Sequence, residues 1–217
     1  NMKHTQKRRF VTALRQLDAD YIVIDLGAGT AYNTVDFFLL ADTQIIIVIP
    51  EPTSIENAYR FLKNSFYRQI LHNSEKFRMK STIKNILRKD NPFNINTPKQ
   101  LIAYLNELGG NAAVFIEEQQ QLFIPSIILN QVRSEKEKRI GVAMEKACLK
   151  YFNLNVKISG YLDFDETVRQ SVIDREPLAK NSLESVPVQQ LSIICEKLLQ
   201  EEKQRTKKNN LLSQLAL

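Results

Sequence analysis

Short apolar runs rich in β-branched residues constrain this chain more than any other feature. Three of them are Tyr21-Ile22-Val23-Ile24, Ile45-Ile46-Ile47-Val48-Ile49 and Ser126-Ile127-Ile128-Leu129. Each is too brief for a helix and is continuous rather than alternating. That is the pattern of a strand buried on both faces of a parallel sheet. Val156–Tyr161 reads as a fourth strand. Between the runs lie helical patterns over 8–17, 34–41, 97–108, 111–118, 134–151, 165–173 and 188–202. Another opens at Thr53, where Thr53-x-x-Glu56 fits a capping box. There Ile55, Ala58, Tyr59, Leu62 and Phe66 make one apolar stripe. Strands alternating with helices predict an α/β fold with a doubly wound, mostly parallel sheet and helices on both faces.

A chain of 217 residues is long enough for one such domain with a real core. No apolar run approaches the roughly 18 residues needed to span a bilayer. The segment Asn1–Arg9 lacks the apolar stretch of a secretory signal, so a cytoplasmic location is expected. Cys148 and Cys195 have no CxxC partner and are expected to be reduced core thiols. His4 and His72 belong to no spaced ligand set, so no zinc site is expected.

The net charge of +6 is unevenly placed. From Arg60 to Lys89 nine basic residues face one acid, Glu75, a local excess of +8, so the rest of the chain sums to −2. This basic stretch has the composition of a solvated helical face. It also suits an anionic membrane surface, an acidic protein or nucleic-acid phosphates. The tail Lys207–Leu217 sets leucines behind lysines. That suits either a last packed helix or a short amphipathic anchor at the inner face of a membrane.

The sharpest motif is Ile22-Val23-Ile24-Asp25-Leu26-Gly27-Ala28-Gly29-Thr30. An acid at the C-terminal end of a parallel strand stands where such sheets bind ligands, and glycines let backbone approach a phosphate or cofactor. Asp-x-Gly-x-Gly fits a nucleoside-triphosphatase, the cofactor loop of an S-adenosylmethionine-dependent methyltransferase, or a plain strand–turn–helix connection. The following strand ends Val48-Ile49-Pro50-Glu51-Pro52-Thr53-Ser54, leading to Ala58-Tyr59. Glu51 stands where a methyltransferase places its ribose-binding acid. Downstream come Ile127-Ile128-Leu129-Asn130-Gln131-Val132-Arg133, Ile158-Ser159-Gly160-Tyr161-Leu162-Asp163, and Arg175-Glu176-Pro177-Leu178.

These four segments, in this order, resemble the MinD/ParA-type P-loop (SIMIBI) ATPases, and within them the FlhG-like and MinD-like proteins. The resemblance covers about residues 5–205. It implies ATP with Mg²⁺ as ligand, and a homodimer whose assembly the nucleotide controls. It places Asp25 near Mg²⁺, Gly27 and Gly29 near the γ-phosphate, and Asn130, Leu162 and Asp163 near the adenine. Such switches serve spatial positioning of flagella, division sites or partitioned DNA.

The chain departs from the family in two places. None of its six glycines precedes a lysine, so the phosphate-gripping Gly-Lys-[Ser/Thr] is absent. The chain therefore reads as an N-terminally incomplete domain or as a degenerate relative kept as an interaction scaffold, and no catalytic residue follows from it. The second departure is a helical insertion over about 64–120, which holds most of the basic stretch.

Overall fold

The structure of the protein, a computed structural model, describes residues 4–88, 90–181 and 183–215, with side chains as far as residue 204. Helices α1 (His4–Arg15) and α2 (Tyr32–Leu40) come first, then strand β1 (Ile45–Val48). Helices α3 (Pro52–Asn73), α4 (Lys80–Ile86), α5 (Pro98–Leu108) and α6 (Gly110–Leu122) lead to β2 (Ser126–Val132). Helix α7 (Glu135–Ala147) and a π turn (Cys148–Phe152) lead to β3 (Lys157–Asp163). Helices α8 (Glu166–Asp174), α9 (Leu178–Asn181) and α10 (Val186–Leu215) complete the order. The strands form one parallel sheet in the order β1-β2-β3. Parallel neighbours need long crossovers, which the intervening helices supply.

The fold is α/β with a parallel sheet, as the strand–helix alternation predicts. Among the described residues the sheet has three strands, which lie in sequence order across it. Tyr21–Ile24 is a correction of the expected first strand. Residues 21–27 form extended coil, with Tyr21 64% and Val23 92% exposed. A strand exists through its ladder, and β1 pairs only with β2. A β-branched run without a partner stays coil however strong its propensity. Leu26 alone of this stretch packs against the main core. The free side of β1 leaves Ile47 63% exposed.

The core is built on α3. Ala58, Leu62, Phe66 and Ile70 recur every four residues, so they share one face, and all are buried. Against that face pack Ile83 and Ile86 of α4, Leu101 and Leu105 of α5, Phe115 and Ile116 of α6, and Val48 and Ile127 of the sheet. Phe66 meets Phe123 with ring centroids 5.3 Å apart. A buried amide cluster joins α3 to α6. Gln69 Nε2 donates to the Gln119 carbonyl at 3.0 Å, and Asn73 Nδ2 donates to Gln119 Oε1 at 2.7 Å.

The helix starts differ from the expected ones. Pro52 begins α3, its N-cap is Glu51, and no side chain caps it. The Ser54 hydroxyl instead accepts the Ile49 N–H at 3.1 Å, holding the β1–α3 turn. The capping box lies at α5, where Thr97 and Gln100 satisfy each other's backbone N–H. Lys89 lies outside the described residues. Backbone helix α10 reaches Leu215, and the side chains on which an amphipathic tail depends lie outside them too. No described helix is long and apolar enough to cross a membrane.

Two devices fix the outer helices. Gly141 of α7 lies over Leu129, Ile158 and Tyr161, close enough that an added Cβ would stand 3.1 Å from Leu129 Cδ1. Ile194 of α10 lies on Gly160 of β3, where a Cβ would come within 2.3 Å. Helix α10 is tied further by Lys197 Nζ, which donates to the Ile158 carbonyl at 2.7 Å. At the other end Asp36 of α2 accepts from Arg68 of α3 at 2.7 Å and is paired with Lys7 of α1. Burial by itself would raise the Asp36 pKa. The hydrogen bonds and charges of Arg68 and Lys7 outweigh it and hold the carboxyl below its ordinary value.

Gly160→Ala is expected to destabilise the protein by about 1–3 kcal/mol in urea unfolding, the usual cost of overpacking. Adding Ile194→Ala should recover part of that loss; a Gly160→Ala protein as stable as the parent would mean that α10 does not seat there. Because the Asp36 pKa is depressed on folding, its contribution is present above the unfolded carboxyl value near 4 and is lost as pH falls through the folded value. Asp36→Asn should therefore cost about 2 kcal/mol at neutral pH, the scale of hydrogen bonds to a charged group. The gap to the parent should close in acid. A gap independent of pH would refute the assignment.

Candidate functional site

The C-terminal ends of β2 and β3 lie side by side, with Val132 opposite Asp163. At this edge, where open parallel sheets bind ligands, the strands and the start of α7 enclose a cleft of about 350 Å³. Its walls come from the chain leaving β2 (Val132, Arg133, Ser134), the first turns of α7 (Glu135, Lys138), and Asp163 and Phe164 leaving β3.

Local sequence explains each placement. Phe164 N–H donates to the Val132 carbonyl at 2.8 Å, extending the ladder by one bond. That brings the Arg133 guanidinium over the Phe164 ring, 3.6 Å from its centroid, a cation–π contact. Ser134 is the N-cap of α7 and its hydroxyl accepts the Glu137 N–H at 3.3 Å. The Glu137 carboxylate reaches back to the Arg133 N–H at 2.6 Å. Asp163 N–H donates to Gln190 Oε1 at 2.8 Å, fixing the end of β3 against α10. Lys138 stands between Glu135, at 2.6 Å, and Asp163, at 3.8 Å. The hydrogen bond that Lys138 donates to Glu135, with the charge of Asp163, raises the Lys138 pKa.

Glu135 and Asp163 face Arg133 and Lys138, so the charges lining the cleft balance. Carboxylates in the first turn of α7 also offset its positive helix end. The cleft therefore suits a neutral planar group, stacked on the Arg133–Phe164 pair and hydrogen-bonded at its edge, or sugar hydroxyls.

The predicted site residues divide into two sets. Asn130, Leu162 and Asp163 lie at this edge. Asn130 precedes Gln131, whose φ of 57° is left-handed, and a register shift of the ladder begins there. Asn130 Oδ1 accepts the Gln131 N–H at 2.9 Å, leaving the amide N–H₂ and one carbonyl lone pair for a ligand. Asp25, Gly27 and Gly29 lie elsewhere, in the exposed coil between α1 and α2. Asp25 makes no described side-chain bond and lines no part of the cleft. Gly29 has φ 116°, which favours glycine, and Gly27 has nothing close to it. Glu51 stands at the N-cap of α3, and Arg175 ends α8 in left-handed backbone.

Sequence reasoning missed Arg133, Ser134, Lys138, Phe164 and Gln190. Ser134-x-x-Glu137 directly after a strand was a usable signal for the first three. The Phe164 and Gln190 contacts depend on packing between distant segments. Both cysteines are free thiols, as expected, but only Cys148 is a core residue. Cys148 is buried, and burial, aided by the Glu145 charge, pushes its thiol up to about 12. Cys195 is exposed, because its neighbour Ile194 takes the inward position on Gly160.

Compared with protein-family models and with curated proteins, the chain matches none.

A thiol reagent such as Ellman's should modify Cys195 alone in the native protein and both cysteines in denaturant. Two rapidly reacting thiols under native conditions would contradict the burial of Cys148.

Proposed function

We propose that the cleft at the ends of β2 and β3 holds the base of a nucleotide, and that the protein is a nucleotide-controlled dimerisation switch of the MinD/ParA kind. The observation that supports it is that Asn130 and Asp163 belong to adjacent parallel strands, with Asp163 opposite Val132 and beside an Arg133–Phe164 stack. The ligand in this proposal is ATP with Mg²⁺. Asn130 offers a donor and an acceptor to the adenine edge, and Asp163 with Leu162 borders it. Asp25, Gly27 and Gly29 are assigned to the phosphate and Mg²⁺ end. The balanced charge of the cleft agrees with an uncharged base there.

The proposal carries with it a doubly wound sheet, with helices on both faces, in which the bare side of β1 is covered. It also carries a homodimer that holds ATP between subunits in the cytoplasm or at the inner face of a membrane. The biological task in this proposal is spatial positioning. No residue is assigned to hydrolysis, since the chain has no Gly-Lys-[Ser/Thr].

Calorimetric titration with ATP–Mg²⁺, combined with sedimentation velocity, tests it. The expected result is saturable binding accompanied by dimerisation. Asn130→Ala should bind about tenfold more weakly, as loss of one well-made hydrogen bond implies. Binding that Asn130→Ala and Arg133→Ala leave unchanged would remove the cleft from consideration. Saturable binding of S-adenosylmethionine, with none of ATP, would replace the proposal by a methyltransferase.

A further inference from the structure

The basic stretch from Arg60 to Lys89 does not act as one surface. Arg68 is held by Asp36 between α2 and α3. Arg60 pairs with Glu56 at 2.7 Å and Arg88 with Asp90 at 3.0 Å. Lys63 donates to the Asn96 carbonyl at 2.8 Å and lies over the Tyr67 ring. Four of the cations are thus committed to the fold or to local pairs. Of the other described cations of the stretch, Arg78, Lys80 and Lys84 lie together at the corner between α3 and α4, and Lys76 stands outside it.

There an open cleft of about 430 Å³ is lined by Arg78, Lys80, Ser81 and Lys84, with Glu75 at its side. Helix α4 cannot turn these residues away, because Ile83 and Ile86 on its other side are fully buried. Lys80 and Lys84 stand one turn apart on the same face, a like-charge spacing that destabilises a helix. Glu75, 3.1 Å from Lys80, is the one carboxylate there, and it is itself exposed. Arg78 and Lys84 have no described ion pair. Arg78 adopts left-handed backbone, φ 59°, where α3 closes through the bonds Arg78 N–H to Glu75 carbonyl and Met79 N–H to Ser74 carbonyl. Glycine or asparagine is the ordinary occupant of such a position. An arginine there tolerates an unfavourable conformation and places a third cation beside the two lysines.

We propose that this corner is an anion site that takes a single phosphate group, held by Arg78, Lys80 and Lys84 with the Ser81 hydroxyl. Three cations and a hydroxyl match the several acceptor oxygens of a phosphate. A nucleic-acid backbone would need a track of cations, and the pairing of Arg60, Arg68 and Arg88 leaves none. The phosphate belongs to a lipid headgroup or to a soluble phosphorylated molecule. The site is independent of the cleft at β2 and β3.

The test is titration of the full chain with inorganic phosphate, followed by the amide shifts of residues 78–84 in ¹H–¹⁵N spectra. Saturable shifts confined to this corner are expected. Arg78→Gln/Lys84→Gln should weaken binding by about tenfold or more, the order set by two near-surface charges. Arg60→Gln, a charge change in the same basic stretch, should leave it unchanged. Both substitutions lie on exposed side chains, and unaltered spectra elsewhere establish that the variants fold. Absence of saturable shifts at millimolar phosphate, or equal weakening in Arg60→Gln, would overturn the proposal. Sedimentation with vesicles of phosphatidylcholine, with and without phosphatidylserine, separates the sources. Binding to the anionic vesicles that Arg78→Gln/Lys84→Gln abolishes identifies a lipid headgroup. Phosphate binding without vesicle binding identifies a soluble ligand. Binding to duplex DNA that Arg60→Gln weakens as much as the corner variant would replace the site by a nucleic-acid surface.

Discussion

Strand β2 is the element on which the rest of the molecule depends, because it alone is hydrogen-bonded along both edges. Its residues Ser126–Leu129 are all buried, so it must be covered on both faces as well. One face takes α7, which approaches closely because Gly141 has no side chain to hold it off Leu129. Ile127 also joins the core that α3 organises with α4, α5 and α6. Removing water from so continuous a run supplies the apolar driving force that offsets the ordering of long crossovers. The crossover lengths follow from the sheet being parallel rather than from any helix propensity.

What was legible in the sequence follows from which signals are local. β1 and β2 stood out as β-branched runs, and α3 as an apolar stripe at helical spacing, because burial leaves its period in the chain itself. The failures are non-local. Tyr21–Ile24 is as apolar as Ile45–Val48 and nearly as rich in β-branched residues, yet only the second has a ladder partner. Propensity does not report whether a neighbour is present. Thr53 and Thr97 both stand three residues before a Glu or Gln, and only the second makes the box. Pro52 starts α3 one residue too early for Thr53 to cap it. Cys148 and Cys195 both lie in apolar patterns. Which one is buried depends on a glycine in another strand.

The candidate site shows the same division. Asn130 was legible because it ends an apolar run, and Asp163 through the resemblance of its segment to a family motif; strand ends of a parallel sheet gather at one edge. Their neighbours Arg133 and Phe164 carry no such mark, since neither belongs to a period. Only the register of β2 on β3 brings them together, with Val132 opposite Asp163 and one further bond to Phe164. A shift of that register by one residue would turn every side chain of β3 to the other face. It would then separate the stack.

Charge is partitioned just as the packing is. The edge of β2 and β3 balances two carboxylates against two cations, while the α3–α4 corner gathers three cations with one carboxylate. The overall charge of +6 hides this, since it averages a balanced surface and a cationic one with ion pairs that are purely structural. Arg68 shows how. Counted in the sequence it belongs to the basic stretch, but in the fold it is the partner of Asp36 and carries the α2–α3 contact. A local charge count therefore sets an upper limit on the free cationic surface. The difference between that limit and the surface that remains is the set of ion pairs that the fold uses for itself. In this chain those pairs take Arg60, Arg68 and Arg88 out of a stretch of thirty residues, and Arg78, Lys80 and Lys84 gather at one open corner of it.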